Sequence, residues 1–214
     1  MKRLIYILPL MLLPVLTMAQ DCLSPKCEYG NLYSNVYRAI VLDTLRPHSQ
    51  IANFTYVVCP SFEPEYGLIY NKFNHTLVYS EVSSEQDNIW YAWTAGKTYQ
   101  VTRWSLEIKS NTGDALQSLL RTAIATAVAP KKDPEIPCGG EDGTTYQFIA
   151  NTYTAECWSP GGGNAAALVR LMDSVCKAVK EQNGEQIQSL LPEIRRLTAA
   201  FDKLVCTPKC PGCD

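Results

Sequence analysis

The sequence predicts an α+β fold: an antiparallel β-sheet, made of a meander plus a hairpin, with helices packed on one face, a C-terminal helical hairpin and disulfide staples. Three observations carry this. Short runs rich in Val, Ile, Tyr and Thr, parted by Pro, Gly, Ser and Asn clusters, fill residues 54–109. Apolar stripes at helical spacing fill 111–128 and 164–205. Nine cysteines all follow a cysteine-free head, at Cys22, Cys27, Cys59, Cys138, Cys157, Cys176, Cys206, Cys210 and Cys213.

The first element after the head is a helix over Asn31–Leu45, from Leu32, Val36, Ile40 and Leu45, stopping before Pro47. The meander follows as Phe54–Cys59, Tyr66–Asn71, Thr76–Ser80, Ile89–Trp93 and Thr98–Lys109. The last of these alternates, with Trp104, Leu106 and Ile108 on one face and Arg103, Ser105 and Glu107 on the other. Asn111 is placed to cap the next helix, whose stripe runs from Leu116 to Val128 and ends at Pro130. Lys131–Gly143, rich in Pro, Gly and charge, reads as a solvated connection. Thr144–Asn151 and Tyr153–Trp158 read as a hairpin. Asn164 is placed to cap a helix with Leu168, Leu171, Met172, Val175 and Val179 on its face. Asn183-Gly184 turns the chain into a second helical stripe from Ile187 to Val205, in which Pro192 forces a kink or a fresh helix start.

Residues 1–19 read as a secretory signal. Lys2 and Arg3 form the charged start, Leu4–Leu16 the apolar run, and Thr17-Met18-Ala19 the cleavage site before Gln20. The run is short for a bilayer-spanning helix, which needs about 20 apolar residues. Ala19-Gln20-Asp21-Cys22 fits a lipoprotein signal poorly, so an outer-membrane lipoprotein is the less favoured product. The expected mature chain is a single α+β domain over 20–214 with a cysteine-rich tail at 206–214, periplasmic or extracellular and without a transmembrane anchor. Removing Lys2 and Arg3 leaves 17 basic against 21 acidic side chains, with no Lys/Arg run longer than two. That balance argues against nucleic acid as a partner.

An oxidising compartment makes disulfides the first expectation for the cysteines. Helix geometry sorts some of them. With the turn near residue 184, Cys176 and Cys206 fall about 20 Å apart along the hairpin axis, beyond the roughly 7 Å that a disulfide spans between Cα atoms. Cys176 is therefore expected as a free buried thiol on the apolar stripe. Cys206 returns to the level of residues 160–162, which makes Cys157 its expected partner. Cys22, Cys27, Cys59, Cys138, Cys210 and Cys213 are further disulfide candidates of open connectivity.

No residue is singled out as catalytic, no metal site is assigned and no cofactor is implied. Gly-x-Ser-x-Gly and His-Glu-x-x-His are absent. His48 and His75 sit in polar turns without a marked partner, and Glu63/Glu65 and Glu141/Asp142 read as surface pairs. Ser159–Asn164 lacks both the P-loop lysine and the GxGxxG spacing. The tail Cys206-x-x-x-Cys210-x-x-Cys213 has redox-type and zinc-type spacing, but with only Asp214 after it no helix is expected to follow and activate a thiol. Twelve aromatics crowd residues 54–104. Strand alternation through Trp90-Tyr91-Ala92-Trp93 puts Tyr91 and Trp93 on one face and Trp90 on the other. These three are the candidate aromatic binding platform.

The layout of Glu65–Tyr70, Ile89-Trp90-Tyr91, Asp142–Phe148 and Cys157–Pro160 resembles small exported, functionally unassigned proteins of Bacteroidetes-type bacteria. The resemblance covers about residues 60–180 and implies an envelope setting, without transferring any functional residue. The function expected is that of an exported, non-catalytic binding or interaction protein whose partner is a protein, a peptide or a polysaccharide. One alternative is a thiol–disulfide or metal-binding protein using the C-terminal cysteines. Another is a hydrolase with an unrecognised site.

Overall fold

The computed structural model describes residues 22–25, 31–45, 52–83, 88–128 and 143–205. Its centre is an antiparallel sheet of seven strands: β1 (Ser24–Pro25), β2 (Phe54–Pro60), β3 (Tyr66–Asn71), β4 (Thr76–Val82), β5 (Val101–Glu107), β6 (Thr144–Ala150) and β7 (Tyr153–Trp158). The spatial order is β1-β7-β6-β2-β3-β4-β5. The α+β class, the meander and the hairpin are all present. The hairpin β6–β7 docks on the first strand of the meander, pairing Tyr56 with Phe148 and Val58 with Tyr146. That order places the β3–β4 turn and the β6–β7 turn at the same end of the sheet.

The helices are α1 (Asn31–Tyr37), α2 (Asp43–Leu45), α3 (Ile89–Thr94), α4 (Ser110–Ala125), α5 (Gly163–Lys180), α6 (Gly184–Ser189) and α7 (Leu191–Val205). A π-helical turn, Arg38–Leu42, joins α1 to α2. Pro192 starts a fresh helix: the chain breaks at Leu190, and α7 packs against both α4 and α5. Asn183 caps α6 by accepting the Gln186 N–H at 3.0 Å.

Helices cover both faces of the sheet, which corrects the one-face expectation. Phe54, Tyr56, Val58, Leu68, Tyr70, Leu77, Tyr79 and Phe148 face α4, α5 and α7. Val57, Cys59, Ile69 and Val82 face the other way, onto Val36, Ala39, Ile40, Val41 and Ile89. The cause is β2 itself. Its residues 54–59 are all buried, so neither side of the strand meets water, as happens when a strand lacks polar alternation.

A second correction concerns Ile89–Trp93, which forms helix α3 instead of a strand. Asn88 accepts the Tyr91 N–H at 2.9 Å. The Glu65 carboxylate accepts the Ile89 N–H at 2.8 and 3.0 Å. These bonds satisfy amides that a helix start leaves open. Neither Asn111 nor Asn164 is a cap: α4 starts after Lys109 and α5 after Gly162, both without a side-chain cap.

The disulfide staples find no counterpart among the described residues. No two of the described cysteines, Cys22, Cys59, Cys157 and Cys176, are joined. Cys157 is buried and joined to no described cysteine, and its expected partner, Cys206, lies outside the described residues. Cys27, Cys138, Cys206, Cys210 and Cys213 lie outside the described residues, as do the head and the 206–214 tail.

Candidate functional site

Two regions concentrate polar and aromatic chemistry, and they lie on the same side of the sheet. The first is beneath α5. Asp173 points from that helix to the sheet, and its Oδ1 accepts hydrogen bonds from Tyr56 Oη and Tyr66 Oη, each at 2.9 Å. Tyr56 stacks on Tyr146 and Phe148 at centroid distances of 6.4 and 5.3 Å. Further along, the Lys180 ammonium pairs with Glu81 and sits 5.1 Å from the Trp104 ring centroid. Cys176 lies one turn from Asp173 and is buried.

This cluster is built to hold α5 on the sheet. Burial is the main cause of every shift in it. Tyr56 and Tyr66 are pushed far up by burial and by the Asp173 charge, so both phenols remain proton donors. Burial also raises Asp173 above its ordinary value, against the opposing pull of the two phenols. The Cys176 thiol is held well above the thiol range by burial and by Asp173, and Cys157 is pushed up to about 12 by burial. A nucleophilic cysteine needs the opposite shift. Among the described residues no group of three His, Cys, Asp or Glu side chains could hold a metal ion.

The second region is an open groove along α4. The inner stripe of this helix is Leu116, Leu119, Leu120, Ala123 and Ile124, all buried. Gly113 brings its first turn close to the sheet, because a Cβ there would lie 2.1 Å from Tyr70 Oη. The outer stripe, Asp114, Gln117, Ser118, Arg121, Thr122 and Ala125, follows helical spacing and lines a depression of about 410 Å³ together with Lys72. A second depression of about 220 Å³ lies between Arg121, Ile124 and Ala125 on the helix and Ala150, Asn151 and Tyr153 on the β6–β7 turn. Both are lined by Arg121 and Ala125, so they run together.

The turns beside the groove are fixed by short polar side chains. Asn53 accepts the Lys72 N–H at 2.7 Å, and its backbone bonds to Tyr70 and Asn151. Asn71 accepts the Phe73 N–H at 2.9 Å. His75 and Asn151 take left-handed backbone angles, φ 53° and 57°. These turns hold two rings out in solvent: Phe73 is 96% exposed and Tyr153 70%. Lys72 pairs with Asp114 at 2.8 Å. Arg121 is exposed and makes no ion pair among the described residues. The groove therefore offers a cation, amides, hydroxyls and the Tyr153 ring on an ordered frame, with Phe73 on the adjoining turn beside Lys72.

The residues singled out from sequence lie elsewhere. Trp90, Tyr91 and Trp93 are on α3, so strand alternation does not apply to them. On a helix, positions 91 and 93 diverge by about 200°, and Tyr91 is 44% exposed. Most of the aromatics at 54–79 are core: Phe54, Tyr56, Tyr70 and Tyr79 are buried. His75 Nδ1 lies 3.4 Å from Tyr70 Oη, a long contact. Glu65 is buried and caps α3. His48 and Glu141/Asp142 lie outside the described residues.

Sequence reasoning passed over Lys72, Phe73, Arg121 and Tyr153. A phenylalanine inside the polar turn Asn71-Lys72-Phe73-Asn74 was an available signal, since such turns are otherwise hydrophilic. Among the described residues no helix is long and apolar enough to cross a membrane. Compared with protein-family models, curated proteins and solved structures, the chain matches none.

Proposed function

We propose that this chain is an exported, non-catalytic binding protein of the bacterial envelope or the extracellular space, and that the α4 groove is its binding surface. The observation that carries the reading is the solvent-held ring of Tyr153 at a groove whose Arg121 has no ion-pair partner among the described residues, with a second exposed ring, Phe73, on the turn next to Lys72. Exposing an aromatic ring forgoes about 1.5–3 kcal/mol of burial. Holding two such rings on ordered turns at one end of the sheet is what a recognition surface needs, since aromatic and arginine side chains dominate binding energy. Cys157 and Cys176, with thiols held in their protonated form, lend no support to redox chemistry. The thiol or metal reading rests on the tail cysteines Cys206, Cys210 and Cys213, with Cys22 or Cys27 as a fourth metal ligand, and the tail lies outside the described residues.

An array of defined peptides and neutral and acidic oligosaccharides tests this with the mature chain. The expected result is retention on one ligand class, weakened at least tenfold in a Phe73→Ala/Tyr153→Ala double variant and unchanged in Asp173→Asn. Retention that ignores the double variant, or conversion of an array ligand to product, would overturn it.

A further inference from the structure

We infer that the groove takes an acidic oligosaccharide, with a uronate ring seated between Tyr153 and Arg121. This rests on the reading of the groove as the binding surface and adds the class of ligand.

The smaller depression sets the size of the ligand unit. Its volume of about 220 Å³ is below the roughly 300 Å³ at which drug-sized pockets begin, and suits one six-membered ring. Tyr153, 70% exposed, lines it. Arg121 lines it too, and its guanidinium has no carboxylate partner among the described residues. The ligand must therefore carry an apolar face and an anion within the span of one ring. A uronate does so: its C–H face presents partial positive charge to the negative face of an aromatic ring, and its carboxylate sits on the same ring. A guanidinium pairs with a carboxylate through two parallel N–H···O bonds.

The larger depression extends the site along α4. Gln117, Ser118 and Thr122 offer amide and hydroxyl groups there, which match the hydroxyl-covered edge of further sugar units. A peptide would call for different features. Extended peptides add to a strand edge or set side chains into successive apolar pockets. Here the floor of the larger depression is the outer face of a helix, and apolar floor is confined to Ile124, Ala125 and Ala150. The chain's formal net charge of −2 gives no long-range attraction for an anion, so recognition rests on one local ion pair and weakens with salt.

Titration calorimetry on the mature chain tests this, using tetramers of galacturonate, glucuronate and mannuronate beside their neutral counterparts. At least one uronate tetramer is expected to bind ten times more tightly than its neutral counterpart. Arg121→Ala is expected to abolish that preference, Arg121→Lys to retain part of it, and Tyr153→Ala to weaken acidic and neutral tetramers alike. Each variant's urea midpoint is measured alongside to confirm folding. Equal binding of acidic and neutral tetramers, a preference that survives Arg121→Ala, or no binding by any uronate overturns the inference. If a peptide from the array then binds in a way that depends on Phe73 and Tyr153, the groove reading stands and only the glycan assignment falls. If no ligand depends on those rings, both fall.

Discussion

Tyr56 and Tyr66 beneath α5 and Tyr153 beside α4 are the same residue type, facing the same side of one sheet, in opposite settings. The first two donate to Asp173 at 2.9 Å, and burial keeps their protons fixed. The third is 70% exposed, next to an arginine that makes no ion pair among the described residues. The difference comes from the helices. α5 lowers a carboxylate onto its tyrosines and closes that region, whereas α4 turns polar side chains outward and leaves a groove between itself and the β6–β7 turn. A cluster of shifted ionisable groups marks a candidate site in many proteins. Here the shifts mark the scaffold, and the open groups mark the surface.

The largest effect is expected where the two regions share a frame. Gly113→Ala sets a methyl group against the buried ring of Tyr70 and should cost about 3 kcal/mol. It lifts the helix that carries the groove, so urea denaturation should show lost stability and titration should show lost binding together. Loss of one without the other would separate the regions more sharply than proposed here.

Asp173→Ala should act on the scaffold alone. It strips the acceptor from two phenols, one of them fully buried, at a cost of about 2 kcal/mol, with groove binding intact. Asp173→Asn keeps an acceptor and removes the charge, and pH then distinguishes the two states. Burial raises the folded Asp173 carboxyl above its ordinary value near 3.8, so the folded protein holds this proton more tightly than the unfolded chain does. Its stabilising contribution is fully present below that ordinary value and is lost as pH rises through the raised folded value. The urea midpoint of Asp173→Asn should therefore gain on that of the wild type from acid to neutral pH. Parallel curves would show that the carboxylate is not strained by burial.

Thiol chemistry gives a third contrast. With its thiol pushed up to about 12, Cys157 holds only about one thiolate in ten thousand at pH 8. Mass mapping after alkylation should find Cys157 and Cys176 unmodified in the native protein and labelled after unfolding. Labelling of either in the native state would place it outside the closed region.

The smallest stability effect belongs to the groove rim. Phe73→Ala or Tyr153→Ala should change folding stability by no more than about 0.5 kcal/mol while weakening ligand retention. A larger stability loss would make the rings structural.

Much of the sheet was legible in the sequence, because turn residues bracket each strand. Tyr66–Asn71 and the β6–β7 hairpin formed as their patterns indicate. Phe54–Cys59 carried a signal of two-sided burial that the one-face expectation passed over, since its one polar residue, Thr55, is too little to make a polar face. Helix α3 was not legible, because its first amide is held by Glu65, far away in sequence. The groove was not legible either. Lys72, Arg121 and Tyr153 come together only because β6 pairs with β2 instead of with its chain neighbour β5, and no local spacing announces that.

The central claim, that ligands meet the α4 groove and not the Asp173 cluster, is tested most directly by amide chemical-shift mapping of the mature chain titrated with uronate tetramers and their neutral counterparts. Shifts are expected at Lys72, Phe73, Arg121, Asn151 and Tyr153, with Tyr56, Tyr66 and Asp173 unmoved. Shifts centred on Asp173 and its tyrosines, or a groove unmoved by every tetramer, would contradict it.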